Sequence, residues 1–200
     1  EPARRRTVLR GCGAGRGCAQ APGRGRRRGA RIGEGIGATA FGGDVLVVDG
    51  LISAVGPVGS LAVPAGAEVE DLDGLVLVPG FIDIHNHSTD RLAGDPKART
   101  QIAQGVTTIV VGADGGSPWP IASYLDDLDQ LDLTISVATL VGHGTVRQAV
   151  MGDDYARPAT AVEIADMAQR VARGMREGAF GLSRGLGYDP GFYAATEGLL

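Results

Sequence analysis

The chain has 200 residues, of which 44% are hydrophobic, 21% charged and 4% aromatic, a composition that excludes a collagen and a wholly disordered protein. No apolar run approaches 18 residues, so we predict no membrane span and no membrane partner. The single lysine, Lys97, follows Pro96, which excludes a phosphate-binding loop ending in Gly-Lys. Both cysteines, Cys12 and Cys18, lie near the N-terminus, so the rest of the chain has no disulfide framework.

The charge is distributed unevenly along the chain. Residues 1–32 contain ten arginines against one acidic residue, Glu1, whereas the rest of the chain is strongly acidic, so that the formal net charge is −4. Glycine, arginine and alanine dominate residues 1–40, and the apolar residues of this segment show almost no regular spacing. Such a composition buries too little surface to offset chain entropy, so we predict a disordered basic N-terminal segment over residues 1–40.

Three hypotheses address this basic segment. Arg5–Arg10 resembles a twin-arginine export signal with a cleavage site at Ala19–Ala21, although the intervening Gly11–Cys18 is short and glycine-rich. The protein is therefore expected to be cytoplasmic, or exported if this signal is real. Alternatively, residues 11–40 are a shifted reading frame. A nucleic-acid-binding arm is disfavoured because no aromatic residues accompany the arginines, so we expect no nucleic-acid partner.

The next segment is rich in β-branched residues. Asp44–Val48 and Leu51–Val55 are two such runs, and the Asp49-Gly50 pair between them is a hairpin signal. A third run spans Leu75–Val78. We predict a small antiparallel β-domain, of which residues 41–74 form the N-terminal part.

From residue 75 onward, predicted strands alternate with predicted helices. The strands are the apolar runs Phe81–His85, Thr107–Val111, Ile135–Val141 and Ala179–Ser183. The helices begin at the capping or proline signals Asp95-Pro96, Ser117-Pro118 and Thr160–Glu163. Such alternation predicts an α/β fold with parallel strands, either a (β/α)8 barrel or a doubly wound sheet.

In both folds the active site lies at the carboxyl ends of the strands. His85 and His87 follow the first strand, and side chains two residues apart on a strand point to one face. The two imidazoles can therefore converge on one metal ion at about 2.0–2.1 Å. After the second strand, Asp114 is the one carboxylate in a loop of glycines and alanine.

Three further residues follow the third and fourth strands. His143 comes after the third, and Ser183 and Tyr188 come at the end of the fourth. We interpret all three as candidate substrate-binding residues because they share the predicted active-site edge. The alternative for His143 is a purely structural role, which is common for a single histidine.

Four segments carry a resemblance to a known family. Leu77–His87 resembles the first-strand motif of the amidohydrolase superfamily. Gln104–Gly112, Val141–Arg147 and Glu177–Ser183 resemble its D-aminoacylase branch, the N-acyl-D-amino-acid deacylases. The resemblance extends from about Asp44 to the last residue, with the motifs in the expected order.

The resemblance implies that residues 75–200 are strands one to about four of a metal-dependent (β/α)8 TIM-like barrel. It also implies hydrolysis of a linear amide, the deacylation of small-molecule N-acyl amino acids, by a zinc-activated water with one or two divalent ions. By this resemblance His85 and His87 match metal ligands. Asp114 occupies the position at which relatives often carry a cysteine ligand, and a carboxylate can also bind zinc.

The family also uses two further histidines and a catalytic aspartate from later strands, which are expected beyond residue 200. A complete barrel needs about 250 residues, so the chain is predicted to be an incomplete fragment that is inactive by itself. A cyclic-amide hydrolase of the dihydroorotase or hydantoinase type is the alternative enzyme, disfavoured because no lysine follows Lys97. A second alternative is an inactive truncated barrel that acts as a binding module. The oligomeric state is left open.

Overall fold

A computed structural model describes residues 6–10, 31–32, 39–72 and 74–198. The chain divides into two compact units, Glu1–Pro79 and Gly80–Leu200. Within the described residues, no helix has both the length and the apolar character that crossing a membrane requires.

The first unit is a β-sheet of six strands among its described residues. The strands are β1 (Arg6–Arg10), β2 (Arg31–Ile32), β3 (Phe41–Val48), β4 (Leu51–Pro57), β5 (Glu68–Asp71) and β6 (Val76–Leu77). The order is β5-β1-β3-β2-β6, and β4 pairs with β3 as well. The predicted hairpin is confirmed, because β3 and β4 are antiparallel and joined at Asp49-Gly50.

The prediction of an antiparallel sheet holds for the three pairs that β3 makes, with β1, β2 and β4. It is wrong for the sheet edges, because β1 pairs with β5, and β2 with β6, in parallel. Turn signals report the direction of strands joined by tight turns, whereas these partners are far apart in the chain. The prediction of disorder throughout residues 1–40 is wrong for β1 and β2. Backbone hydrogen bonds to neighbouring strands hold these segments, and an arginine-rich composition does not reveal such partners. The proposed cleavage site at Ala19–Ala21 lies outside the described residues.

The second unit alternates strands and helices. Its strands are β7 (Phe81–Asp83), β8 (Val106–Val111), β9 (Ser136–Thr139), β10 (Val141–Gly142) and β11 (Leu182–Ser183). Its α-helices are α1 (Arg99–Ile102), α2 (Ile121–Asp129), α3 (His143–Met151) and α4 (Ala161–Arg176). Short 3-10 turns cover Gly152–Asp154, Gly191–Tyr193 and Thr196–Gly198.

The strands of the second unit are parallel and adjacent in chain order. β7, β8 and β9 form a three-stranded sheet, and β10 pairs with β11. Only Leu140 separates β9 from β10, and the Phe180 N–H donates to the Thr139 carbonyl at 2.9 Å. The four predicted strands are therefore neighbours in sequence order, which brings their carboxyl ends to one edge.

Two apolar clusters form the core of this unit, and helix α2 contributes to both. One contains Ile109, Val111, Leu128 and Ile135, together with Leu92 and Ala98. The other contains Ile121, Val141, Val146, Met167 and Ala179. On one face of strand β8, Ile109 and Val111 are fully buried and Thr107 is exposed, and the residues of the other face are half-buried.

The helix boundaries differ from several sequence expectations. Helix α1 begins after Ala98, and α2 begins after Pro120, each about three residues later than the Asp-Pro and Ser-Pro signals indicate. The capping box of α4 is confirmed, because Thr160 and Glu163 each accept a hydrogen bond from the other's backbone N–H. Helix α3 was not predicted, because it begins directly after β10 with no polar linker.

Candidate metal centre

Residues just after β7 form a hydrogen-bonded turn that orients two histidines. The Asp83 carboxylate accepts a hydrogen bond from Nδ2 of Asn86 at 2.7 Å and another from the backbone N–H of His85 at 3.2 Å. These hydrogen bonds, with Asn86 contributing most, lower the pKa of Asp83. The Asn86 N–H donates to the Val110 carbonyl of β8 at 3.1 Å, so the turn carrying His85 and His87 is tied to the sheet.

The loop after β8 adopts an unusual backbone conformation. Asp114 has φ of 56°, and Gly112 and Gly115 have φ of 80° and 78°. Glycine tolerates this left-handed region, whereas for aspartate it is uncommon and benefits from support by the surroundings. Ser183 of β11 supplies part of that support, because its hydroxyl accepts from the Gly115 N–H at 3.0 Å and donates to the Gly112 carbonyl at 2.5 Å.

The two turns bring three donor atoms together. Nε2 of His85 lies 3.2 Å from Nε2 of His87 and 3.1 Å from Oδ2 of Asp114. The distance from Nε2 of His87 to the same carboxylate oxygen is 3.2 Å. Within the described part of the chain, this is the group of histidine, cysteine and acidic side chains whose geometry could hold a metal ion.

The triangle of donor atoms fits a divalent metal. An ion bound tetrahedrally at about 2.0–2.1 Å separates its ligand atoms by about 3.3 Å, close to the observed distances. Two imidazoles and a carboxylate suit zinc and other first-row divalent ions. The side chains of His85 and His87 are 58% and 65% exposed, so the solvent side is open to further ligands and substrate. The role of His85, His87 and Asp114 as metal ligands stays a prediction.

A cleft of about 600 Å³ opens beside this group. Its walls include His87, Asp114 and Tyr188. Thr145 and Gln148 of α3 also line it, and sequence reasoning missed both because it missed the helix. The available signal was the i, i+4 spacing of the apolar residues Val146 and Val150, which is weak over a nine-residue helix.

The three predicted substrate-binding residues occupy different positions. Tyr188 lines the cleft, and its hydroxyl donates to the Asp114 carbonyl at 2.8 Å. Burial and the nearby Asp114 carboxylate raise the pKa of Tyr188. Ser183 is buried, and both of its hydrogen bonds go to the backbone of the Asp114 loop.

His143, the third of these residues, is the first residue of α3 and is 5% exposed. Burial, its dominant influence, lowers the pKa of His143. The described residues that line the cleft include neither His143 nor Ser183. A contact of either residue with substrate stays a prediction.

Comparison with known proteins identifies similar chains. Residues 68–197 match the amidohydrolase family. The N-acyl-D-aspartate deacylase of Alcaligenes xylosoxydans xylosoxydans is 34% identical over an alignment that covers 86% of this chain and 38% of that enzyme.

Two solved structures are also similar. The N-acyl-D-glutamate deacylase from Bordetella bronchiseptica, complexed with zinc and a phosphonate mimic of the tetrahedral intermediate, superposes with a TM-score of 0.79 at 31% identity. A D-aminoacylase described with a binuclear metal centre gives 0.78 at 29% identity. Each comparison covers 96% of this chain and 41% of the other, so the chain spans about two-fifths of the length of these relatives.

Proposed function

Because the chain belongs to the amidohydrolase family, we propose that the whole protein is a metal-dependent hydrolase that removes the acyl group from N-acyl-D-amino acids. The observation that carries the proposal is the convergence of His85, His87 and Asp114 at the carboxyl ends of two neighbouring strands. The names of the similar enzymes, which are deacylases of D-amino acid derivatives, support the substrate class.

The proposed architecture is a (β/α)8 barrel, of which this chain supplies the first four strands. The support is the sequential parallel order of β7, β8 and β9, continued by the β10–β11 pair. In such a barrel the carboxyl ends of all strands surround one site. His85, His87 and Asp114 then lie where the barrel fold places its chemistry.

The three side chains would hold a divalent ion, zinc by preference. When bound, zinc supplies a water acidified to a pKa near 7 and polarises the amide carbonyl. The chain's own contribution is the fixed position of the donors. Asp83 and Asn86 orient the histidine turn, and the left-handed loop directs the Asp114 carboxylate toward both imidazoles.

The cleft suits a small substrate. A volume of about 600 Å³ lies within the range of about 300–1,000 Å³ typical of small-molecule sites. Gln148 and Tyr188 provide polar groups on a wall that also contains glycine and proline. An N-acyl amino acid has both an apolar acyl chain and polar amide and carboxylate groups, which such a wall can contact.

The test is hydrolysis by the full-length protein. The protein is stripped of metal with a chelator and reloaded with Zn²⁺, and release of free amino acid is measured from N-acetyl-D-methionine, N-acetyl-D-aspartate and N-acetyl-D-glutamate. We expect hydrolysis of at least one substrate by the zinc-loaded protein and none by the stripped protein. The matched L-enantiomers are the control for chirality.

The same assay separates the alternatives. If hydantoin or dihydroorotate is hydrolysed and no N-acyl amino acid is, the protein is a cyclic-amide hydrolase and the proposal is wrong. If the protein binds zinc and an N-acyl amino acid but releases no product, it is a binding module. Both outcomes contradict deacylation.

A further inference from the structure

Two side chains from the end of β11 and the segment after it contact the backbone of the Asp114 loop. Ser183 bonds Gly112 and Gly115, and Tyr188 bonds the carbonyl of Asp114 itself. Between them, the backbone of Gly185 packs so closely against the loop that an added Cβ would collide with the Asp114 carbonyl oxygen. The loop is therefore fixed at two peptide units, the one that follows Gly112 and the one that joins Asp114 to Gly115, by groups about 70 residues further along the chain.

The Ser183 contact is buried, and its hydroxyl acts both as an acceptor and as a donor of a hydrogen bond. The Gly115 N–H donates to its oxygen, and the hydroxyl proton goes to the Gly112 carbonyl. Removal of this hydroxyl would leave a buried donor and a buried acceptor without their partner, which is costly in a protein interior. The contact also bridges the two ends of the turn that contains Asp114.

The Tyr188 contact acts at the aspartate itself. A hydrogen bond to the Asp114 carbonyl restricts rotation of the peptide that follows it, and so restricts the direction in which the carboxylate points. Asp114 needs such a restraint because its φ of 56° is uncommon for a residue with a Cβ. The Tyr188 side chain is half exposed and forms part of the cleft wall, so this restraint lies next to the substrate.

We propose that Ser183 and Tyr188 are positioning residues that hold Asp114 in register with His85 and His87, so that their hydroxyl groups set the metal affinity of the site. This inference rests on the metal centre of the proposed function. It gives both hydroxyls a role in the support of a ligand, and the substrate contacts expected from the sequence stay predictions. Partners that orient metal ligands are commonly worth about 10–100-fold in metal affinity.

The test measures metal binding directly in the full-length protein. Tyr188→Phe removes one hydroxyl while keeping the ring, and Ser183→Ala removes the other. The Zn²⁺ dissociation constant is measured by competition with a chromophoric chelator, and the visible spectrum of the Co²⁺-loaded protein reports ligand geometry. We expect each variant to bind Zn²⁺ about 10–100-fold more weakly and to show an altered Co²⁺ spectrum.

Tyr155→Phe is the matched control. The Tyr155 hydroxyl also contacts the segment after β11, at Oδ2 of Asp189 (3.3 Å), but it makes no bond to the Asp114 loop. Its loss should leave the Zn²⁺ dissociation constant and the Co²⁺ spectrum unchanged. If Ser183→Ala fails to fold, Tyr188→Phe alone decides the inference, because the phenyl ring preserves the packing.

The outcomes separate this inference from the proposed function. Wild-type metal affinity in Tyr188→Phe overturns the inference whether or not the protein is a deacylase. If that variant also has a raised KM, Tyr188 contacts the substrate and does not position the metal ligand. A weakened, spectrally altered metal site supports the inference even if no N-acyl-D-amino acid is hydrolysed. A wild-type protein that binds no divalent ion overturns both.

Discussion

Oδ2 of Asp114 lies 3.1 Å from Nε2 of His85, although 29 positions separate the two residues in the chain. The Gly116 N–H, which an Asx turn at Asp114 would use, donates instead to the Ala113 carbonyl at 3.1 Å. The carboxylate therefore faces the imidazoles and does not close its own turn. This relationship makes the chemistry of Asp114 accessible to a simple substitution series.

The first prediction concerns that series. Asp114→Ala should abolish high-affinity zinc binding, and Asp114→Asn should weaken it strongly, because a neutral amide is a poorer ligand than a carboxylate. Asp114→Cys should retain zinc, because a thiolate binds it well at about 2.3 Å. Metal analysis of the purified full-length variants after dialysis measures each effect. Full metal occupancy in the Asp114→Asn variant would show that Asp114 is not a metal ligand.

The second prediction concerns the histidine pair. His85→Ala and His87→Ala should each lower bound metal, and the double substitution should eliminate both metal and turnover. The physical reason is that two of the three converging donor atoms are lost. His143→Ala is the control for metal content alone, because His143 lies outside the group of donor atoms. Metal content and activity that survive the double substitution would show that the pair is structural.

The third prediction uses two adjacent glycines of the same loop. A Cβ at Gly115 would lie 2.8 Å from the Gly185 nitrogen, and its φ of 78° is strained for alanine. A Cβ at Gly116 would have the Ala113 carbonyl oxygen at 4.0 Å as its nearest neighbour. Gly115→Ala should therefore destabilise the protein by about 1–3 kcal/mol and weaken zinc binding.

Gly116→Ala is the matched control for this prediction and should change the free energy of unfolding by less than about 0.5 kcal/mol. Urea unfolding and zinc titration of the full-length protein measure the two effects. If the two variants have the same free energy of unfolding and the same zinc affinity, the close packing of the Asp114 loop against Gly185 contributes neither to stability nor to zinc binding.

The fourth prediction concerns the start of helix α4. Arg157 bonds both carboxylate oxygens of Glu163, and with the hydrogen bonds from Thr160 this lowers the pKa of Glu163 from 4.5 to about 2. A carboxylate with a depressed pKa stabilises the fold above its unfolded-state value, and this contribution disappears as the pH falls through the folded-state value. Glu163→Gln should therefore be less stable than wild type at pH 7.

The difference in free energy of unfolding between wild type and Glu163→Gln should become smaller as the pH falls from 4.5 to about 2. Urea unfolding at a series of pH values measures it, and Asp126→Asn, at an exposed carboxylate of α2, is the control for the loss of a negative charge. A stability difference that does not depend on pH over this range would show that the ion pair and capping box contribute nothing through ionisation.

Local sequence signals predicted much of the architecture. The β3–β4 hairpin followed from Asp49-Gly50 between β-branched runs, and the capping box of α4 followed from Thr160 and Glu163. The strands after residue 80 followed from continuous apolar runs. These features depend on interactions between residues close in sequence, so the chain itself carries the information.

Other features depended on partners that no local signal identifies. β1 is a strand because β3 and β5 bond its backbone, and an arginine-rich segment gives no indication of those neighbours. Helix α3 was missed because its short apolar spacing becomes decisive only where Val146 packs against the core.

The candidate site shows the same division. The His85–His87 pair was predictable, because the two-residue period of a strand directs both side chains to one face. The distances from Asp114 to the pair, and the hydrogen bonds of Ser183 and Tyr188 to its loop, arise only when β7, β8 and β11 are assembled. Residue types and local spacing therefore identified the candidate ligands. The tertiary structure decided which hydroxyls bond the Asp114 loop, because a hydrogen bond between groups about 70 residues apart depends on the folded path of the backbone and on no local pattern.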